Sequence, residues 1–325
     1  MFGTEFLTGQ GLGNQLFCYV TARSIAEKNN YVFGSLGKDK FATNIHNKKG
    51  MYFMDIDLGI DLDEKICKKY YEKECRIILP NSKHDIKNGC YISGTDNEIF
   101  DLSDNSIIYG NLQSEDYFRE DIPKIKKWLK IKEKYDNYRF YGEHLCVINF
   151  RGGEYVSNKE LFLQKDYWEY SIAYMKSIDN EMKFVVITDD VVNAKKLFPN
   201  FDIYHFDIAG DYVAIKNSKF AIVSNSSFSY FPLMTSDVNR MIVAPKYWAR
   251  YNVSDGYWAS EQNIYDKFLY IDRNGDVFNS NECKIELSKY KKIKKMHYKN
   301  NKSLLWKIYC YILLIIKQLK MKLGV

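Results

Sequence analysis

The spacing of hydrophobic and polar positions in the second half of the chain alternates between two patterns. Short continuous apolar runs alternate with segments in which apolar residues recur every three or four positions. The apolar runs predict buried strands at 145–150, 184–188, 202–206, 220–223 and 240–244. The intervening segments predict helices at 167–177, 191–198, 211–217 and 228–234. Continuous apolar strands that alternate with helices predict a parallel sheet covered on both faces.

The first half of the chain has a less regular form of this pattern. An apolar start at 2–7 precedes a glycine-rich turn, and residues 14–28 follow a helical period. Residues 115–129 predict a helix entered from Ser114. Short apolar runs between polar connections are typical of an α/β layer. These runs lie at 31–33, 76–79 and 106–109.

A polar and charged stretch at 130–143 has no apolar period and separates the two halves. A chain of 325 residues is long enough for two domains. We therefore predict an N-terminal α/β domain over 1–140 and a second α/β domain over 144–283. A basic amphipathic tail over 284–325 completes the predicted organisation.

The net charge of +6 comes from the tail. From Lys284 to Lys302 the chain has eight lysines and one acidic residue, while the body is slightly acidic, so the charge does not indicate nucleic acid as a partner. The apolar run 304–316, interrupted by Lys307, is shorter than the ~20 residues of a membrane-spanning helix. Aromatic and apolar residues beside lysines favour a peripheral membrane contact through 303–325. Packing of this segment on the other domain is the alternative.

Cysteine usage and the N-terminus favour a cytoplasmic protein, placed by its tail at the inner face of the cytoplasmic membrane. Seven cysteines without a C-x-x-C pair support neither a zinc site nor a disulfide framework. Reduced thiols are typical of the cytosol. The N-terminus has no basic region followed by an apolar run, so no signal peptide is expected.

The first candidate site is the glycine-rich turn that precedes the helix at 14–28. Bare backbone N–H groups at a helix N-terminus suit a phosphate or a sugar hydroxyl, and here Gly11, Asn14 and Gln15 are the candidate residues. A dinucleotide fingerprint would require glycine at position 14, so a nicotinamide cofactor is disfavoured. A tight turn that binds nothing is the alternative.

The second candidate site follows the predicted strand 145–150. Arg151 stands before Gly152 and Gly153, so its guanidinium has a flexible loop from which to bind a diphosphate and neutralise a leaving group. Glu154 is a candidate to orient or deprotonate an acceptor hydroxyl. An ion pair between arginine and glutamate on a surface loop is the alternative.

Two further polar clusters follow predicted strands, where ligands bind in parallel sheets. Asp189 is a candidate acceptor for a ribose hydroxyl or a base N–H group, with helix capping by this acidic pair as the alternative. The segment Asn225, Ser226, Ser227 and Phe228 is a candidate anion site, with a simple helix cap as the alternative. The aspartate pairs at 55 and 57 and at 61 and 63 follow no strand, so we interpret them as solvated and predict no metal site.

Five segments, in this order, resemble motifs of the bacterial α-1,2-fucosyltransferases, glycosyltransferase family 11. They are Gly9–Tyr19, Gly110–Phe118, Asn149–Tyr155, Asn225–Phe231 and Pro245–Trp248. The resemblance extends over roughly residues 5 to 250. It implies a GT-B fold, in which two Rossmann-like domains face each other across a cleft.

The resemblance also implies an activity. It implies an inverting transfer of L-fucose from GDP-fucose, in α-1,2 linkage and without a metal or other cofactor. The implied acceptor is an oligosaccharide or lipid-linked glycan of a lipopolysaccharide O-antigen or capsule. In the family the first arginine of the central motif binds the donor diphosphate, and Arg151 occupies that position. Asn225 to Phe228 match the segment that lies at the nucleotide, and the glycine-rich opening belongs to the other wall of the cleft.

The central motif departs from the family pattern at three positions. Asn149, Gly152 and Glu154 stand where the family has histidine, a second arginine and aspartate. Losing an arginine removes a strong charge-assisted donor from the site. A different GDP-sugar donor, or a catalytically inert partner subunit that binds a nucleotide or glycan, is therefore the alternative function.

Overall fold

The structure is a computed structural model, and it describes residues 1–43, 47–77, 91–254, 256–258 and 260–293. Beyond residue 303 it describes nine residues, between 304 and 319. Residues 78 and 79 of the predicted apolar run lie outside the described part, as do residues 294–303 of the predicted tail and the other residues after 303.

The N-terminal half forms a five-stranded parallel sheet with the strand order β3-β2-β1-β7-β4. Its strands are β1 (Phe2–Glu5), β2 (Phe33–Leu36), β3 (Ile60–Asp61), β4 (Lys68–Tyr71) and β7 (Ser106–Tyr109). A separate antiparallel pair consists of β5 (Glu74–Ile77) and β6 (Tyr91–Ser93). The helices of this half are α1 (Leu12–Lys28) and α2 (Ile122–Trp128).

The C-terminal half forms a seven-stranded sheet with the strand order β10-β9-β8-β11-β12-β13-β14. All neighbouring strands are parallel except the last pair, β13 and β14. The strands are β8 (Leu145–Phe150), β9 (Lys183–Thr188), β10 (Asp202–Tyr204), β11 (Phe220–Val223), β12 (Met241–Pro245), β13 (Phe268–Ile271) and β14 (Val277–Asn279). The helices are α3 (Lys165–Ile178), α4 (Val191–Leu197), α5 (Ile208–Lys216), α6 (Tyr230–Met234) and α7 (Ser280–Ile293).

The predicted architecture of two Rossmann-like α/β units is confirmed. The helix predicted over 115–129 is confirmed only over Ile122–Trp128, because the preceding part of this segment forms two short 3₁₀ turns. Phe118 leaves helical geometry with φ −144°, and Pro123 lacks an N–H group, so it fits only the first turn of a helix. The domain boundary at 140 to 144 stays a prediction.

The two sheets share one hydrophobic core. Phe17 of α1 packs against Tyr230 and Phe231 of α6, with ring centroids 4.8 Å apart in both pairs. Phe53 packs on Tyr212 of α5 at 5.5 Å. The two halves therefore meet at an interface that these aromatic side chains help to build.

Helix α7 packs on the body through the buried residues Cys283, Leu287 and Tyr290. The nine described residues beyond 303 are helical, and all of them are large, apolar and exposed, at 44–79%. They are Leu304, Leu305, Ile308, Tyr309, Tyr311, Ile312, Ile315, Ile316 and Leu319. In the part of the chain that the structure describes, no helix combines the length and apolar character needed to cross a membrane.

Candidate active site

The first turn of α1 contacts the segment that follows β11. A methyl group at Gly13 would lie 2.5 Å from the backbone nitrogen of Phe228, so only glycine permits this approach. The hydroxyl of Ser227 donates to Oδ1 of Asn14 at 2.6 Å. The structure therefore brings together two predicted donor-binding segments that are far apart in sequence.

Gln15, also predicted to bind the donor, faces inward. Its Nε2 donates to the carbonyl of Lys40 at 3.0 Å, and its Oε1 accepts from the backbone nitrogen of Ala42 at 2.7 Å. The side chain is fully buried, so these bonds give it a structural role in holding the loop after β2. Gly11, one residue before α1, has open space where a side chain would lie. Contact of either residue with a donor stays a prediction.

Arg151 lies between two carboxylates at the carboxyl ends of β8 and β9. Its guanidinium is 2.6 Å from Oδ2 of Asp189 and 3.2 Å from Oε1 of Glu154. Asp189 also accepts a hydrogen bond of 2.9 Å from the backbone nitrogen of Gly152. Asp189 thus fixes both the guanidinium and the loop, whereas Glu154 is 76% exposed and free to move.

Capping of α4 belongs to the neighbouring aspartate. Oδ1 of Asp190 accepts from the backbone nitrogen of Asn193 at 3.0 Å, and Oδ2 accepts from its side chain at 2.8 Å. These hydrogen bonds help to hold the pKa of Asp190 below its usual range against the opposing effect of burial. Because Asp190 serves as the cap, Asp189 remains available to Arg151.

Close packing explains why the second arginine of the central motif is absent from this chain. A Cβ at Gly152 would lie 2.5 Å from Cβ of Asp190, and a Cβ at Gly153 would lie 2.5 Å from Oδ2 of Asp189. Gly153 also has φ +41°, which favours glycine. The close packing of this loop on the two aspartates therefore leaves no room for an arginine at position 152.

The end of β11 contains a buried acceptor that lacks a partner. Nδ2 of Asn225 donates to the carbonyl of Leu161 at 2.9 Å, but its Oδ1 has no hydrogen bond to any described residue. Leaving such a group unpaired costs about 1–3 kcal/mol, so Oδ1 is suited to a ligand donor.

The hydroxyl of Ser226 accepts from the backbone nitrogen of Phe228 at 3.4 Å, which is the helix-capping role considered as the alternative. Phe228 is half-buried.

Sequence reasoning missed two residues of this interface. Nε2 of Gln113 donates to Oδ1 of Asn14 at 2.9 Å, and Nδ2 of Asn263 donates to Oε1 of Gln113 at 2.8 Å. Gln113 lies in the motif Gly110–Phe118, which is a signal that could have identified it. Asn263 follows no predicted strand, so the sequence offers no comparable signal.

Two buried carboxylates lie along the same interface. Glu115 accepts from the hydroxyl of Tyr230 at 2.7 Å and from the backbone nitrogen of Asp266 at 3.0 Å. Burial raises the pKa of Glu115 to about 7. Burial likewise raises the pKa of Glu72 to about 7, although this carboxylate accepts hydrogen bonds from Tyr117 and Gln262. Interface stability therefore depends on pH in the neutral range.

The aspartates interpreted as solvated form surface ion pairs. Asp55 pairs with Lys132 at 2.7 Å, and Asp61 pairs with Lys38 at 2.9 Å. Within the described ranges, no three side chains of the histidine, cysteine, aspartate and glutamate types are grouped as a metal site would require.

No protein-family model matches the chain. It is similar to the O-antigen biosynthesis glycosyltransferase WbnK of Escherichia coli, with 24% identity over 73% of this chain and 92% of that protein. It is also similar to an alpha-1,2-colitosyltransferase of Escherichia coli, with 30% identity over 43% of this chain. This second alignment covers 54% of the relative, about half of its length.

Among solved structures, the chain shows distant similarity to two fucosyltransferases. NodZ alpha-1,6-fucosyltransferase, from crystals soaked with GDP-fucose, has a TM-score of 0.45 and 11% identity over 75% of this chain and 95% of that one. POFUT1 in complex with GDP has a TM-score of 0.32 and 9% identity over 43% of this chain and 55% of that one. The five motifs and the two relatives from Escherichia coli support the resemblance of the chain to the family-11 glycosyltransferases.

Proposed function

We propose that the chain is an inverting, metal-independent glycosyltransferase that moves L-fucose from GDP-fucose, in α-1,2 linkage, to a surface-glycan acceptor. The observation that carries this proposal is the placement of Arg151. Its guanidinium is fixed by Asp189 at the edge of the sheet where Asn225 leaves an acceptor unpaired. A fixed cation beside an unsatisfied acceptor suits a nucleoside diphosphate.

Inverting transfer is a single displacement at the anomeric carbon. The acceptor hydroxyl forms the new C–O bond on the face opposite the diphosphate, while the old C–O bond breaks and its electron pair leaves with the phosphate. Arg151 stabilises the charge that develops on the leaving diphosphate. Glu154 accepts the proton of the acceptor hydroxyl, directly or through water.

The exposure of Glu154 is compatible with this role. Its carboxylate pairs with Arg151 at 3.2 Å, and the Arg151 side chain is 34% exposed. A bound diphosphate competes with Glu154 for the guanidinium, whereas Asp189 keeps its own bond. Donor binding would therefore release the Glu154 carboxylate next to the reacting centre.

A different GDP-linked deoxysugar is the second candidate donor. Gly152 removes the guanidinium that the family motif has at this position, and no side chain fits there. One relative is named a colitosyltransferase, which is a transferase of a different sugar. An inert partner subunit is disfavoured because Arg151 and its fixing aspartate are both present.

The test is calorimetric titration of the full-length protein with GDP, UDP, dTDP and CMP, followed by turnover of GDP-fucose with and without glycan acceptors. Binding of GDP alone, weakened in Arg151→Ala, is the expected result. Ser157→Ala is the matched control on the same loop, since among the described residues its hydroxyl donates only to the carbonyl of Glu154. Preference for another nucleotide would contradict a GDP-sugar donor, and binding of none would favour the inert subunit.

We also propose that the tail docks on the anionic inner face of the cytoplasmic membrane. The support is the exposure of the nine described apolar residues between 304 and 319, on a segment preceded by eight lysines and one acidic residue between Lys284 and Lys302. Ile308→Asp combined with Ile312→Asp should abolish flotation with vesicles that contain phosphatidylglycerol. The control is Ile178→Asp, an exposed position on the body. Unchanged flotation of the double variant would refute membrane docking by this segment.

A further inference from the structure

A cavity of about 340 Å³ lies beside the loop that Gln15 holds, and the reaction described above does not use it. It opens at the carboxyl end of β2, the same sheet edge from which the glycine-rich turn leaves β1. Its lining combines an apolar wall with a polar rim. The lining residues that matter here are Phe41, Met51 and Met54 on the wall, and Asp39, Thr43 and Lys132 on the rim.

The loop that forms one wall of this cavity is fixed at several points. Gln15 binds the backbone of Lys40 and Ala42 from one side. Nδ2 of Asn47 donates to the carbonyls of Ala42 and Gly50, at 2.6 and 3.1 Å, and so ties the two ends of the loop together. The wall is therefore built into the fold, and Gln15 lies next to Asn14, which contacts Ser227 of the donor segment.

The rim offers one charged group without a partner. Lys132 is paired with Asp55 at 2.7 Å, whereas Asp39 has no hydrogen bond or ion pair to any residue in the described ranges. An unpaired carboxylate accepts hydrogen bonds from vicinal hydroxyl groups, and the half-buried side chains of Met51, Ile56 and Leu58 suit an apolar C–H face. These are the two surfaces of a neutral sugar ring. The volume is at the lower end of the range for small-molecule sites, about 300–1,000 Å³.

We propose that this cavity is an acceptor subsite that holds a neutral sugar ring of the glycan, next to the ring that receives the transferred sugar. The proposal rests on the proposed glycosyltransferase function and names part of its substrate recognition. It assigns Asp39 to the sugar hydroxyls, and Met51, Ile56 and Leu58 to the apolar face of the ring. It also explains why Gln15 is used to hold the loop after β2.

The experiment is saturation-transfer NMR of the full-length protein with methyl β-galactoside, lactose and N-acetyllactosamine, each with and without GDP. We expect saccharide binding that weakens about tenfold in Met51→Trp, which fills the cavity, and in Asp39→Ala. GDP affinity, measured by calorimetry, should not change in either variant. Lys48→Trp and Asp57→Ala are the controls, because both residues lie on the same part of the chain but outside the cavity lining.

The outcomes distinguish failure of the proposed function from failure of the acceptor subsite. Absence of GDP binding refutes the proposed function, and the saccharide experiment still reports on the cavity. If none of the three saccharides binds, or if binding is unchanged in folded Met51→Trp and Asp39→Ala, the acceptor subsite is wrong. Near-ultraviolet circular dichroism of each variant shows whether a loss of binding reflects unfolding.

Discussion

The hydroxyl of Ser227 donates a 2.6 Å hydrogen bond to Oδ1 of Asn14, joining the end of β11 to the first turn of α1. The same oxygen accepts from Gln113 at 2.9 Å, so Asn14 is held from both sides. Two residues predicted to bind the donor separately therefore belong to one arrangement. The glycine-rich turn contributes to the site by positioning the segment after β11.

A double-mutant cycle tests this link. Asn14→Ala and Ser227→Ala should each destabilise the protein, and their coupling in free energy of unfolding should be about 1 kcal/mol, typical of one hydrogen bond. Urea unfolding gives the required values. The control cycle combines Asn14→Ala with Ser236→Ala, whose hydroxyl accepts only from the backbone of Val238 and Asn239. Coupling as small as in the control would show that the Asn14 contact contributes nothing.

The two glycines that flank the start of α1 should respond differently to alanine. A Cβ at Gly13 meets the backbone of Phe228 at 2.5 Å, so Gly13→Ala must push the two sheets apart, and we expect a loss of about 1–3 kcal/mol in stability. Gly11 has ordinary φ and nothing within 4 Å of a Cβ, so Gly11→Ala should be neutral. Urea unfolding and GDP titration of both variants measure the difference. Equal behaviour would contradict the close approach at Gly13.

The sequence was most informative about the second sheet. Continuous apolar runs identified strands β8, β9 and β11, and parallel strands bring their carboxyl ends to one edge, so the proximity of Arg151 and Asp189 was predictable. Strand β13 was not predicted, although Phe268–Ile271 is an apolar run as long as that of β11, and the edge strand β14 has no such run. An apolar run of only four residues does not by itself distinguish a strand from a helical segment.

The side-chain roles were less predictable. Asn14 and Gln15 are adjacent amides at the same helix start, and only the packing of the loop at Lys40–Ala42 decides that Gln15 turns inward. The same holds for Gly152, which stands where the family has an arginine. Glycine is required there because Asp190, which follows strand β9, packs against it, and no local pattern reveals this contact.

Asp189 should act through Arg151. Asp189→Asn keeps an acceptor for the backbone nitrogen of Gly152 but loses the 2.6 Å ion pair, so we expect GDP affinity to fall about tenfold. In an Arg151→Ala background the same substitution should cause no further loss, because the group that it positions is absent. Calorimetric titration of both single variants and the double variant measures this. Additive losses would mean that Asp189 contacts the nucleotide itself, as the sequence first suggested.

The buried carboxylate of Glu115 should make stability fall as pH rises. Its pKa is raised from 4.5 to about 7, so between these values the folded chain binds more protons than the unfolded chain. The free energy of unfolding therefore decreases from pH 4.5 to about pH 7 and levels off above, by about 3 kcal/mol for this group. Glu72, at about 7, and Asp211, at about 8, act in the same direction, so they leave a residual slope.

Glu115→Gln isolates the contribution of this residue. Glutamine cannot ionise, its amide oxygen still accepts from the backbone of Asp266, and its NH₂ group faces the hydroxyl of Tyr230. We expect the variant to match the wild type near pH 4.5 and to exceed its stability at pH 8, in urea unfolding at intervals of one pH unit. Glu120→Gln, at an exposed position, should follow the wild-type curve. A Glu115→Gln curve parallel to the wild type would mean that this carboxylate keeps its charge in the interface, satisfied by Tyr230 and the backbone.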